Sequence, residues 1–183
     1  MLAPSMAKRR SEGTAEAIPP RKTAFAILKS MNTSTLFQYC QKLIILSEDK
    51  TKVLLAKRKG EADYDGTYSF IGGKMETTDE SILAGMQREK NEEIGEQAAI
   101  AVLSNETYNV FFRKKDGNSM ILPHIAGVFV SGDITLNEEY SDYKWVAIDE
   151  LESFEPKISN IPELTSWAQN KLNGSSPGQL VQI

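Results

Sequence analysis

Residues 72–95 read GGKMETTDESILAGMQREKNEEIG, and this stretch decides how the rest of the chain is expected to fold. Thr77 followed three residues later by Glu80 is a capping-box pattern, and Gly95 is a helix stop. Leu83, Met86 and Ile94 fall on one apolar arc between them. The spacing predicts a helix over about 78–94. A helix repeats roughly every 3.6 residues, so Glu89, Glu92 and Glu93 project from one side near its C-terminal end. Two like unit charges ~4 Å apart repel by about 4 kcal/mol at an effective dielectric of ~20. Three carboxylates forced together there call for a positive partner. A hard divalent cation that takes oxygen ligands and tolerates bound water meets that need: Mg²⁺, with Mn²⁺ as its substitute. Gly85 costs up to about 1 kcal/mol against alanine inside a helix, which predicts close packing at that point.

Glycine, a short loop, Glu80, Arg88-Glu89, Glu92-Glu93 and Gly95 together resemble the Nudix box, G-x5-E-x7-R-E-U-x-E-E-x-G-U with U a bulky aliphatic residue. Three departures stand out. The loop from Gly73 to Glu80 holds one residue too many, at Thr77-Thr78-Asp79, and is expected to be absorbed in a turn before the helix. Lys90 takes the first U position, where a lysine can bury its stem and lift its amine to water. Glu96 takes the second. Upstream, GTYSFIGGKME is similar to the family's G-x-W-x-x-P-G-G-x-x-E, with Tyr68 for tryptophan and Ile71 for proline. Downstream, LNEEYSDYKWVAIDEL is similar to its second acidic segment leading into a Trp-Val strand. The resemblance covers about residues 36–172.

The resemblance implies an α-β-α sandwich of the α/β (α+β) class, with a mixed sheet between helices, and hydrolysis of a phosphoanhydride. It implies Glu89, Glu92 and Glu93 as metal ligands, helped by the Gly72 carbonyl. Glu139 is the candidate fourth carboxylate, as ligand or base, with Glu138 its competitor. Arg88, four residues before Glu92, is assigned to orienting carboxylates, and Glu80 to a structural role in the cap. Lys57, Arg58, Lys74 and Arg113 are candidate phosphate contacts, with Arg58 and Lys74 preferred, since an arginine fork suits phosphate oxygens. His124, the only histidine, lies in an apolar strand and is expected as a wall or core residue. Tyr68, Phe70, Tyr108 and Phe112 can stack on a base, although core packing accounts for aromatics in strands.

The family spans nucleoside triphosphates, dinucleoside polyphosphates, nucleotide sugars, coenzymes and capped RNA. No proline beyond the box points to ADP-ribose, and the extra motif of the NADH-directed subgroup is missing. A nucleoside triphosphate or similar small nucleotide is therefore the default substrate. Two alternatives remain: a Nudix-fold module that binds nucleotide or protein without hydrolysis, and action on the 5′ end of RNA.

Outward from the box, QKLIILSED and KVLLAKRKG are apolar runs joined by a polar spacer, and are expected to pair as strands. Further strands are expected at about 68–71, 98–103, 107–114, 120–131 and 143–148, with Lys115-Asp116-Gly117-Asn118 as a hairpin turn. A closing helix is expected over 161–172, with Pro162 in its first turn. The folded domain is placed at 34–173. Residues 1–33 are expected as a disordered extension, with Lys8-Arg9-Arg10 and Arg21-Lys22 as solvated charges in preference to a nuclear or organellar address, and 174–183 as a flexible tail.

With 183 residues, 40% hydrophobic and 25% charged, the composition is that of one globular domain. The net charge of −4 argues against sequence-independent nucleic-acid binding. Cys40 is alone and cannot form an internal disulfide, which suits a reducing compartment; packing is its expected role. No apolar run reaches the ~20 residues of a membrane span, and no apolar stretch follows the basic start as in a secretory signal. A cytoplasmic location is expected, with no membrane partner. A homodimer is left open.

Overall fold

The computed structural model describes residues 37–183, so the expectations for the N-terminal extension lie outside the described residues. The strands are β1 Phe37–Tyr39, β2 Lys42–Leu46, β3 Lys52–Arg58, β4 Tyr68–Ser69, β5 Ala99–Val102, β6 Tyr108–Arg113, β7 Ser119–Ser131, β8 Tyr140–Ala147 and β9 Val181–Gln182. The helices are α1 Ile82–Ile94 and α2 Ile161–Gly174.

The long strand β7 is the spine of a mixed sheet. Its first half takes β6 antiparallel on one side and β1 parallel on the other. Its second half takes β2 parallel and β5 antiparallel. Strand β3 returns from β2 through a tight turn but pairs along its length with β8, and with β4 near its end. The expected pairing of β2 with β3 is thus confined to the register Leu46 opposite Val53.

Successive side chains of a strand point to opposite faces, and here both faces are apolar. Leu43, Ile45, Leu54 and Ala56 join Met86 and Ile94 of α1 in one buried cluster. Ile44, Leu46, Val53 and Leu55 join Ile161, Leu164, Ala168 and Leu172 of α2 in the other. Each such Leu or Ile side chain stabilises the fold by roughly 1.5–3 kcal/mol when fully buried. The result is the expected three-layer arrangement, helix, mixed sheet, helix. Among the described residues no helix is long and apolar enough to cross a membrane.

Several local expectations need correction. Helix α1 begins at Ile82, and its N-cap is Ser81, whose hydroxyl accepts from the Ala84 N–H at 3.1 Å. Thr77 and Glu80 form no capping box, and Glu80 is exposed. The physical reason is Asp79: it folds back onto the helix and uses up the extra residue, delaying the cap. Lys90 does not lift its amine to water. It is buried, and Nζ donates to the Ala98 carbonyl at 2.8 Å. Nor is 174–183 a loose tail: β9 pairs with β5, and Ile183 is buried and exchanges two backbone bonds with Ile100. Its few apolar residues, Leu180, Val181 and Ile183, are too short a run to announce a strand.

Candidate active site

The polypeptide approaching α1 passes Gly72 and Gly73 over the start of β2. Gly72 has φ +111°, and a Cβ there would lie 2.5 Å from the Gln41 carbonyl oxygen, so only glycine fits. A Cβ on Gly73 would overlap the Glu89 carboxylate. The two glycines therefore let the backbone lie against the acidic end of the helix.

Arg88 organises that end. Nε and Nη2 grip Asp79 at 3.0 and 3.1 Å, and Nη2 also donates to the Lys74 carbonyl at 3.0 Å. Nη1 donates to Glu89 at 3.0 Å and to Glu92 at 3.1 Å. All five guanidinium donors are thus in use. Gly85 makes this possible, because a Cβ there would lie 2.7 Å from Asp79 Oδ2 and 2.9 Å from Gln41 Nε2.

The three box glutamates occupy three environments. The Glu92 side chain is 55% exposed. Glu89 is largely buried; burial pushes its pKa up, and Arg88 opposes that. Glu93 turns inward, accepting from the Gly72 N–H and, at 3.0 Å, from the Tyr140 hydroxyl. Burial raises its pKa as well, against the pull of Lys42, the Gly72 N–H and Tyr140. The trio is therefore not crowded into one point as expected. Among the described residues no three acidic, histidine or cysteine side chains are gathered into a ready metal site. The repulsion is relieved instead by partners, with Arg88 between Glu89 and Glu92, and donors of the core around Glu93.

Lys42 adds a further positive charge. Its Nζ donates to the Gly72 carbonyl oxygen, and its charge favours ionised Glu89 and Glu93. The donor set of carboxylate and carbonyl oxygens suits a hard divalent cation. An ammonium seated on one of those oxygens shows that the cradle accepts positive charge.

These groups open onto a cavity of about 890 Å³, where Glu89, Glu92 and Glu93 meet Glu139, Arg58 and Lys74. Glu139 arrives from the exposed turn before β8, its backbone held by Asn137 Oδ1 at 3.1 Å and by the Lys59 N–H at 2.8 Å. Its competitor Glu138 does not line the cavity. Arg58 reaches the wall while ion-paired with Glu61, and Nη1 donates to Ser69 Oγ at 3.4 Å. Lys57 and Arg113 do not reach it; the Lys57 ammonium lies 6.0 Å from the Tyr68 ring centre instead.

His124 lines the cavity from β7. Its Nδ1 lies 2.9 Å from the Leu122 carbonyl and 3.3 Å from that of Tyr108, so this nitrogen carries the proton. Burial holds its pKa down at about 4. Of the four aromatics, Phe70 and Phe112 face the cavity. Tyr68 packs against Phe154 and donates to Asp142 at 2.6 Å, and Tyr108 packs against Trp167.

Three participants were not read from sequence as site residues: Lys42, Asp79 and Tyr140. Lys42 had a signal, a charge heading the otherwise apolar LIIL strand. Asp79 lay inside the recognised insertion. Tyr140 adjoins Glu139, but nothing in its spacing distinguishes it from a core tyrosine.

Comparison with known proteins agrees with this geometry. The family model of the NUDIX domain matches residues 42–168. The nucleoside triphosphatase NudI of Klebsiella pneumoniae is 27% identical over 118 residues, covering 60% of this chain and 83% of that protein. Its Escherichia coli O81 counterpart is 25% identical over 122 residues, covering 63% and 86%. In fold, the chain is similar to the MutT protein of Methanosarcina mazei, with a TM-score of 0.61 at 21% identity over 79% of this chain and all of that one. It is equally similar to the NUDIX domain of Shewanella oneidensis NrtR, with a TM-score of 0.61 at 18% identity over 84% and 99%.

Proposed function

The chain belongs to the Nudix hydrolase family, and from that membership we propose that it cleaves a phosphoanhydride bond in a nucleoside di- or triphosphate derivative with the help of bound Mg²⁺ or Mn²⁺. The observation that supports this is one cavity lined at once by the box glutamates, by Glu139 from a separate segment, and by Arg58 and Lys74. A nucleoside triphosphate is the favoured substrate, in keeping with the names of the NudI relatives. Action in the cytoplasm on a small nucleotide belongs to the same proposal.

Glu89, Glu92 and Glu93, with the Gly72 carbonyl, would hold the cation. When bound, such an ion offsets phosphate charge and lowers the pKa of a coordinated water. Arg88 keeps the Glu89 and Glu92 carboxylates oriented, so that less ordering is needed when substrate arrives. Glu139, from the segment whose Asn137 and Tyr140 bond to Glu93, either completes the ligand set or takes the proton from the attacking water. Arg58 and Lys74 meet phosphate oxygens. His124 stays neutral at physiological pH and shapes the wall.

A second reading, nucleotide binding without hydrolysis, is favoured by one observation, the Lys42 ammonium on the carbonyl that the cation would use. A broad nucleotide panel with Mg²⁺ separates the two. Release of phosphate or pyrophosphate is expected; binding without any release would leave only the binding module. Glu92→Gln should lower kcat by roughly 10²-fold or more with the fold unchanged, because that side chain is mostly in solvent. Unaltered turnover would remove Glu92 from the mechanism.

A further inference from the structure

Lys42 has no part in the reaction outlined above, yet it occupies the centre of the machinery. It opens β2 opposite His124 of β7 and is only partly exposed. Its Nζ is seated on the Gly72 carbonyl oxygen, while the N–H of the same residue donates to Glu93. The loop carrying the carbonyl is thus pinned from two sides, by a lysine of the sheet and a glutamate of the helix. Among the described residues Lys42 makes no ion pair with a carboxylate, in contrast to Arg58 and Arg88. It is held by a carbonyl dipole and by the surrounding negative charge of Glu89 and Glu93.

A divalent ion and an ammonium cannot share one carbonyl oxygen without strong mutual repulsion. We propose that Lys42 is a tethered competing cation: it holds the Gly72 carbonyl in place in the metal-free protein, and it must leave that oxygen when a divalent ion binds there. Lys42 is in this sense a positioning residue. It keeps Glu89 and Glu93 compensated before the ion arrives, and sets how tightly the ion is held. The inference rests on the cation-cradle reading of the preceding subsection, and concerns binding rather than turnover.

Calorimetric titration of the full chain with Mn²⁺ tests it, using the wild type, Lys42→Met, Lys42→Gln and Lys74→Met. Loss of the competitor should tighten the Mn²⁺ dissociation constant by roughly tenfold or more in both Lys42 variants. Lys74→Met removes a charge from the same cavity without vacating the carbonyl, and should change it by less than about threefold. Lys42→Gln remains neutral but able to donate a hydrogen bond, so it serves if the methionine variant does not fold. In the wild type, reductive methylation of Lys42, followed by mass spectrometry, should accelerate at saturating Mn²⁺. A flat labelling rate, or equal effects of the Lys42 and Lys74 substitutions, would overturn the competition. Tight wild-type binding with unchanged Lys42 variants sinks this inference alone. Absence of Mn²⁺ binding in every protein, Lys42 variants included, sinks the cation-cradle reading together with it.

Discussion

Gly85 occupies a helix interior, where replacing glycine by alanine normally gains up to about 1 kcal/mol. The Asp79 carboxylate and the Gln41 amide fill the space that a methyl group would need. Gly85→Ala is therefore expected to destabilise the protein and to loosen Arg88; a raised urea midpoint would contradict this. His124 gives a pH signature. Burial holds its folded pKa at about 4, below the ordinary 6.5. The stability of the neutral ring is fully present above pH 6.5 and is lost as pH falls through 4, up to about 3 kcal/mol. His124→Asn keeps an N–H for the Leu122 carbonyl but cannot protonate. Its stability should fall less steeply over that acid range, whereas an acid limb as steep as that of the wild type would rule His124 out as its source.

At the scale of elements, Lys90 ties the end of α1 to the chain entering β5 through the Ala98 carbonyl. Burial lowers its pKa, so the charged form is penalised in the fold. That penalty is fully present below the folded pKa, and disappears as pH rises towards the ordinary value of about 10.4. Lys90→Met should therefore be more stable than wild type at neutral pH by about 1 kcal/mol, with the advantage shrinking in alkali; a thermal shift that grows with pH would refute it. The identity and polarity of α1 were legible because Leu83, Met86 and Ile94 repeat at helical spacing and Gly95 stops them. Its start was not, since Thr77–Glu80 and Ser81 are both acceptable caps and only the tertiary bond from Arg88 to Asp79 selects the second. Strands β1 and β9, of three and two residues, carry no readable alternation and exist because β7 and β5 offer them free edges.

Across the whole molecule, the three-layer arrangement could be read from sequence because each apolar run was continuous, as strands covered on both faces must be. The convergence of distant segments was harder to see. Glu139 was placed by resemblance and Arg58 by its fork-shaped guanidinium, while Lys42 was overlooked because its partner is a backbone carbonyl, which leaves no mark in a side-chain pattern. The closing strand can be tested globally. Deleting 181–183 removes Ile183 from the core and uncovers β5, and should cost about 2–3 kcal/mol and promote association through the bare edge. A truncated protein that melts and sediments like the full chain would show that β9 contributes nothing.

Strand β2 is greasy on both sides, so sliding it by one position against β7 would exchange Leu43 and Ile45 for Ile44 and Leu46 and forfeit little hydrophobic burial. Such a slip cannot keep Lys42 on the Gly72 carbonyl, or the Gln41 N–H 2.8 Å from that of Gly73. The polar head of the strand, rather than its oily body, is what distinguishes correct alignment from its near copies. Misaligned molecules would be compact and inert, having lost their chemistry while keeping their interior.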